Sequence, residues 1–359
     1  LADSGGHWQN LAEAAKLSQS LKIPGVVEED IKRNNPVDLV PVAQGKGTGT
    51  KIEWLREQTV VDSDVKETDV GNALTWSEDG TYEEKETTLR RLYIQRKLDH
   101  YVENIYGTYN NYEAQTLLES EKAMKRKLGS RFIYADTTYG GSPTQFDGLH
   151  ALAAEHGTAY TAGSAYDAKN IDGGEAGLSL SLLRVLCDEM KLGIDILLAP
   201  FEVIRRLDAA YQEKGFVGLA TATAGNLGFL SMGYNELGKR VLFWDSIPIM
   251  RTDYLVAEEA NTGTGASANA RALYSSDKQY SLFAIKWGNP DLGSVTNPGL
   301  IYAYGGTEGA GDLYKLVRFP ELEDYDAGGI RLLHYGTPLM KSSMALGRIW
   351  DIEDAAILV

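Results

Sequence analysis

No disulfide can form within this chain, because Cys187 is its only cysteine. It sits at Leu186-Cys187-Asp188 in a helical pattern and reads as a small buried apolar residue rather than a nucleophile. Basic charge is also short: 35 Lys and Arg stand against 50 Asp and Glu, a formal charge of −15. General nucleic-acid binders carry a basic surface that replaces phosphate counterions, so any contact with nucleic acid is expected to be local. Uncharged apolar runs of about 18 residues are missing, so no membrane-spanning helix is expected. The chain starts at Leu1 without a basic stretch leading into an apolar one, so no secretion signal is expected either.

Catalytic groups are equally scarce. There is no Gly-x-Ser-x-Gly, no triad and no pair of acids in a recognisable setting. His150, Glu155 and His156 fall close together, but histidines six apart do not share a helix face, and no Cys or acidic cluster completes a ligand set. His7, His100 and His334 are isolated. The run Gly45-Lys46-Gly47-Thr48-Gly49-Thr50 lacks the Gly-Lys-Ser/Thr ending of a phosphate loop and reads as a hinge. No catalytic residue, cofactor site or metal ligand is assigned.

What is present is a chain of 359 residues with 43% apolar side chains, enough for two domains or for one with a large insertion. Residues 1–50 hold a short helical pattern at 8–21, then Pro24, Pro36 and Pro41, and read as an extended arm that orders on a neighbour. Residues 51–97 alternate charged and apolar side chains. Asp79-Gly80, between Leu74-Thr75-Trp76 and Tyr82, marks a tight hairpin turn. Arms of about fourteen residues span about 45 Å at about 3.3 Å each. So bare a ribbon is marginal alone, and it is expected to rest mainly on another subunit, with Trp76, Ser77, Glu78, Asp79 and Gly80 at its tip.

Asn110 or Asn111 caps a helix expected to run to Leu128 and to stop at Gly129, about 18 residues or about 27 Å. Ala114, Leu117, Leu118, Met124 and Leu128 form its apolar stripe. Lys122, Lys125, Arg126 and Lys127, with Arg131 beyond, make the densest basic cluster. Two readings stand: cations near a helix carboxyl terminus, or a DNA-facing patch. After the helix, Phe132, Ile133, Tyr134, Phe146 and Leu149 offer anchors around turns at 140–143 and at Asp147-Gly148. A helix at 179–191, a buried strand at 195–199 and a helix from Pro200 to residue 212 form a compact α+β unit. Strands are expected at 241–244 and 247–255 around Asp245-Ser246, at 281–287, 300–304 and 313–319, and in the tail at 330–352.

The order Arg131-Phe-Ile-Tyr-Ala-Asp-Thr-Thr-Tyr-Gly-Gly-Ser-Pro-Thr-Gln-Phe-Asp-Gly-Leu149 resembles the segment after the long helix in major capsid proteins of tailed double-stranded DNA bacteriophages, with Ala135 where that family often has Gly. Trp76-Ser77-Glu78-Asp79-Gly80 and its return strand look like that family's extended loop. Trp244-Asp245-Ser246-Ile247-Pro248-Ile249 and the tail from Ile330 look like its later strands. The resemblance implies the α+β tailed-phage major capsid fold, shared with encapsulins. It divides the chain into an arm (1–50), an extended loop (51–97), a peripheral domain with the spine helix (98–175), an axial domain (176–329) and closing strands that return to the peripheral domain (330–359).

It also implies a non-enzymatic subunit of hexamers and pentamers in an icosahedral virion shell, assembled in the host cytoplasm. The shell would enclose double-stranded DNA that it contacts weakly, with scaffold, portal or cementing proteins as partners and no membrane. Some members of the family join subunits by a Lys–Asn isopeptide bond; no motif here assigns one. An encapsulin compartment is the alternative on the same fold, and a soluble α+β enzyme is the alternative from another class.

Overall fold

The computed structural model describes residues 28–45, 50–59, 65–73, 76, 81–101, 111–137, 144–156, 169–218, 230–234, 240–258, 278–305, 313–323 and 326–358. Residues 1–27, 77–80 and 140–143, to which the arm, the ribbon tip and one turn were assigned, lie outside them.

The first described segment is not a free arm. Asn35 caps a 3-10 turn at Pro36–Leu39 by accepting from the Val37 amide, and strand β1 (Val42–Gln44) follows. Asn34 donates to the Arg251 carbonyl at 2.7 Å, Asn35 donates to that of Lys125 at 3.1 Å, and Pro36, Val40 and Ala43 are buried. The expected strap at residues 1–50 is therefore corrected for 34–44, which build into their own subunit. Prolines that exclude a helix still allow a capped turn and an edge strand.

Strands β2 (Lys51–Thr59) and β3 (Thr81–Thr88) form the expected ribbon, with Lys51 opposite Thr88 and Glu57 opposite Tyr82. Tyr82 thus pairs with Glu57, and residues 60–80 link the two arms in sequence. The paired arms are nine and eight residues long, about 30 Å rather than about 45 Å. Strand β4 (Arg90–Asp99) continues from β3 into a sheet.

Helix α1 (Tyr112–Tyr134) begins at the cap Asn111, whose side chain accepts from the Ala114 amide at 3.0 Å. It passes through Gly129 and runs 23 residues, about 35 Å. The expected stop fails for a local reason: a Cβ at Gly129 would stand 2.5 Å from Asn35 Oδ1 and 2.7 Å from the Tyr254 ring, so this glycine admits a close neighbour instead of ending the helix. The helix ends in the loop it was expected to precede. The Gly148 amide donates to the Ala135 carbonyl at 2.8 Å, and Asp147 Oδ1 accepts from both the backbone and the hydroxyl of Thr137. A Cβ at Gly148 would meet the carbonyl oxygens of residues 131–133 at 2.7 to 2.8 Å. Phe132, Ile133, Phe146 and Leu149 are fully buried, and helix α2 (Leu149–Ala153) follows.

Next come β5 (Asn170–Ala176), α3 (Leu180–Glu189), β6 (Ile196–Ala199), α4 (Phe201–Gly218), β7 (Leu230–Tyr234), β8 (Arg240–Trp244) and β9 (Ile247–Arg251). Asp245 and Ser246 both have positive φ, 46° and 68°, the backbone of a primed hairpin turn between β8 and β9. Strands β10 (Gln279–Ile285), β11 (Leu300–Tyr304), β12 (Lys315–Phe319), β13 (Ala327–Met340) and β14 (Leu346–Glu353) complete the fold.

Two sheets carry these strands. In the first, the 14-residue β13 pairs with β4 along one edge and with β12 and then β11 along the other, and β1 adds in parallel to β11. The second runs β5-β14-β10-β6-β9-β8-β7. Its centre is buried on both faces by period-2 alternation. Ile196, Leu198, Phe283 and Ile285 face a core shared with α1 and α2, while Leu197, Ala199, Leu282 and Ala284 face the core of α3 and α4. The sheets do not divide the chain at 176 and 329. Strands β11 and β12 pair into the first sheet, and β14, expected beside the spine helix in the peripheral sheet, joins β5 and β10 in the second. The tail's apolar runs mark strands without naming partners, which are set by contacts distant in sequence.

Candidate functional site: the ribbon, the spine helix and a buried polar cluster

The ribbon presents two chemically different faces. Ile52, Trp54 and Arg56 are half-buried and alternate with exposed Lys51, Glu53, Leu55 and Glu57. The inner face is fixed to its own subunit. Trp54 Nε1 donates to the Lys341 carbonyl at 3.1 Å; Arg56 donates to the same carbonyl at 2.8 Å, to that of Met340 at 2.6 Å, and pairs with Glu155. Lys85 reaches Glu155 at 3.0 Å, and Ile52 and Trp54 pack on Ala43, Ile301 and Leu339. The expectation that the ribbon rests mainly on another subunit is corrected for these strands. One arginine and one tryptophan supply the anchorage that a count of apolar residues missed. Trp76, the described member of the expected tip, is 99% exposed, and Ser77, Glu78, Asp79 and Gly80 lie outside the described residues.

The basic cluster is spread around the middle of α1 rather than gathered at its end. Lys122 pairs with Glu28 at 2.8 Å, Arg126 with Asp30 at 2.6 Å and with Glu28 at 3.1 Å, and Lys125 with Glu121 at 2.9 Å. Of the five, Arg131 alone lies in the last turn, so the helix-terminus reading does not hold for the others. Lys127 and Arg131 line a cavity of about 490 Å3 together with Arg90, Arg91, Met124 and Phe146, between α1 and β4.

Sequence reasoning missed a buried polar cluster where α1, α2, β10 and β14 meet. Arg348 Nη2 lies 3.0 Å from Glu258 Oε2, Ser281 Oγ donates to the same oxygen at 2.7 Å, and Tyr134 donates to Oε1 at 3.3 Å. His150 stacks on Tyr134 with ring centroids 4.7 Å apart, and its Nε2 lies 2.9 Å from Glu258 Oε1. Burial pushes His150 down to about 4, helped by the Arg348 charge, so the ring is neutral at neutral pH. Burial alone would raise the Glu258 carboxyl; His150 and Arg348 outweigh it and hold it below the usual range. A signal was available: Arg348 stands mid-strand among Leu346, Ile349 and Trp350, where an arginine requires a buried partner. The cluster lines neither the cavity between α1 and β4 nor the one beside Asn35, Val37 and Tyr302.

No protein-family model matches the sequence, and no curated protein matches it either. Solved structures do match the fold. The holo-SrpI encapsulin complex from Synechococcus elongatus PCC 7942 superposes with a TM-score of 0.60 at 13% identity, covering 97% of each chain. The capsid of cyanophage P-SCSP1u gives 0.57 at 9% identity over 93% of each chain, and the capsid of a native GTA particle gives 0.54 at 13% over 98% of each. The chain therefore has the α+β fold of tailed-phage major capsid proteins, which encapsulin shells share.

Proposed function

We propose that this chain is the structural subunit of a closed protein shell, the major capsid protein of a tailed bacteriophage, with no catalytic role. The observation that carries the reading is the end-to-end match to shell subunits, covering 93 to 98% of both chains in the three structures. A partial match would fit a borrowed domain; a match over nearly all of both chains fits a subunit doing the same mechanical work. The exposed side of the molecule agrees with it. Leu55 and Tyr82 on the ribbon, and Val65, Val70 and Trp76 on its connection, are large apolar side chains left in solvent by a single copy.

In this reading many copies form hexamers and pentamers that close into an icosahedral virion shell in the host cytoplasm. Double-stranded DNA inside would meet a wall of acidic subunits, with Lys122, Lys125, Arg126, Lys127 and Arg131 as the candidate points of local contact. Scaffold, portal or cementing proteins are the partners expected for such a shell.

Electron microscopy of the expressed chain tests the reading: closed shells are expected, and a chain that stays monomeric at high concentration overturns it. The same particles separate the second reading, an encapsulin-type compartment, favoured by the TM-score of 0.60 to the encapsulin shell. Particles from the native source filled with double-stranded DNA support the capsid, and particles filled with protein cargo support the compartment.

A further inference from the structure

Where β13 ends, Lys341 carries an ammonium group into backbone rather than into water. The residue is 9% exposed, and its Nζ donates to three carbonyls of one loop: Ser294 at 2.7 Å, Asp291 at 3.0 Å and Leu292 at 3.2 Å. Three donors are all that an ammonium has, so the loop satisfies it in full. Burial holds the group below its ordinary pKa, Asp291 acts the other way, and the three carbonyls offset the water that the charge has lost.

The loop, which joins β10 to β11, is braced to hold those carbonyls in place. Asn289 Oδ1 accepts from the Asp291 amide at 3.0 Å, Asp291 Oδ1 accepts from the Gly293 amide at 3.0 Å, and Asn289 Nδ2 donates to Ser294 Oγ at 3.3 Å. Its tip, Val295, is 87% exposed. The backbone of Lys341 holds the ribbon instead. Its carbonyl accepts from both Trp54 Nε1 and Arg56 Nε, at 3.1 and 2.8 Å. The strand ladder does little to fix that peptide: the Lys341 amide lies 3.4 Å from the Gly299 carbonyl, beyond the usual range, and the chain then turns away into a 3-10 turn at Ser343–Ala345. What orients residue 341 is its own side chain, anchored in the loop.

We propose that Lys341 couples the ribbon to the loop at 289–296, so that a contact which fixes or displaces the Val295 tip is felt in β2 and β3, and the reverse. Such coupling is reciprocal, because both elements bias the orientation of one residue. It is internal to a single subunit and stands apart from the shell reading. Lys341 acts here as a positioning residue: the ammonium sets the loop, and through it the peptide that receives the ribbon.

Amide exchange of the full chain tests it, followed in the ribbon at 51–59 and 81–88, in the loop at 289–299 and, as a control, in β10. Asn289→Ala, which loosens the loop at the end away from Lys341, is expected to speed exchange in the ribbon at least about fivefold with β10 unchanged. Lys341→Met, which keeps the stem and removes the charge, is expected to speed both segments, and adding Asn289→Ala to it should change the ribbon no further. A loop that quickens while the ribbon does not overturns the proposal. So does a ribbon that still responds to Asn289→Ala in the Lys341→Met background, for the coupling would then run through Leu292, which packs on the same cluster as Ile52 and Trp54. Should Lys341→Met speed β10 as well, and so loosen more than the two segments, the response of the ribbon to Asn289→Ala in the native chain decides alone.

Discussion

At the scale of single residues, the buried Arg348–Glu258 pair is the most exposed to damage, because removing one partner strands a charge in the core. Glu258→Ala should destabilise the isolated subunit by about 3 to 5 kcal/mol, read as a loss in urea midpoint, and a change under 1 kcal/mol would show the pair to be wet or unformed. His150 makes the subunit sensitive to acid. Its folded pKa, pushed by burial to about 4, lies below the ordinary 6.5, so the unfolded chain takes up the proton first. Stability is then full above about pH 6.5 and falls by about 3 kcal/mol as pH drops to about 4, where the folded ring also charges. Glu258, depressed as well, adds a loss at still lower pH, and His334, lowered by burial, acts in the same direction as His150. Calorimetry from pH 7 to 4 should therefore show a steeper fall for wild type than for His150→Phe. Parallel curves would refute the assignment. Little of this site was legible in advance: Tyr134 was placed in the core by its neighbours, but Glu258, Ser281 and Arg348 lie 23 to 90 positions apart and meet only through sheet pairing.

Among the elements, α1 was the most legible, and its misread end is instructive. The Asn111 cap and the buried Met124 and Leu128 follow from local chemistry, whereas Gly129 has two readings in sequence that only a neighbour separates. An interior glycine costs a helix about 1 kcal/mol, little enough for Asn35 and Tyr254 to repay by packing where a Cβ would be. Gly129→Ala should thus destabilise despite its better helix propensity, and a gain in melting temperature would contradict the close packing. The ribbon was legible as a pairing but not in its anchorage, since Arg56 reads as one more charge in an alternating strand. Its bonds to the Lys341 and Met340 carbonyls and to Glu155 hold β2 to the subunit. Replacing it by Met should lower the local opening free energy by about 2 kcal/mol and speed amide exchange in β2 and β3 about 30-fold, with the amides of β10 unchanged. Unaltered ribbon exchange would mean that Trp54 and the strand pairing suffice.

For the whole molecule, sequence order exposed the inventory of elements and concealed their distribution between sheets. The runs at Ile330–Leu333 and Leu346–Ile352 look alike as text, yet β13 lies against β4 and β14 lies between β5 and β10. Charge is the property that sequence states without remainder, and it sets how copies meet. In the proposed shell, subunits at −15 repel at long range, while ion pairs across an interface act only in contact. Salt acts on the two unequally. The screening length is about 30 Å at 0.01 M and about 8 Å at 0.15 M, so the first additions of salt remove repulsion between whole subunits before they touch the short, partly desolvated pairs. Shell formation followed by light scattering should therefore accelerate between about 0.01 and 0.15 M NaCl and slow again toward 1 M, where the screening length of about 3 Å reaches the pairs themselves. A rate that falls steadily from the lowest salt would show that contact attraction, and not the net charge of the subunit, governs the encounter.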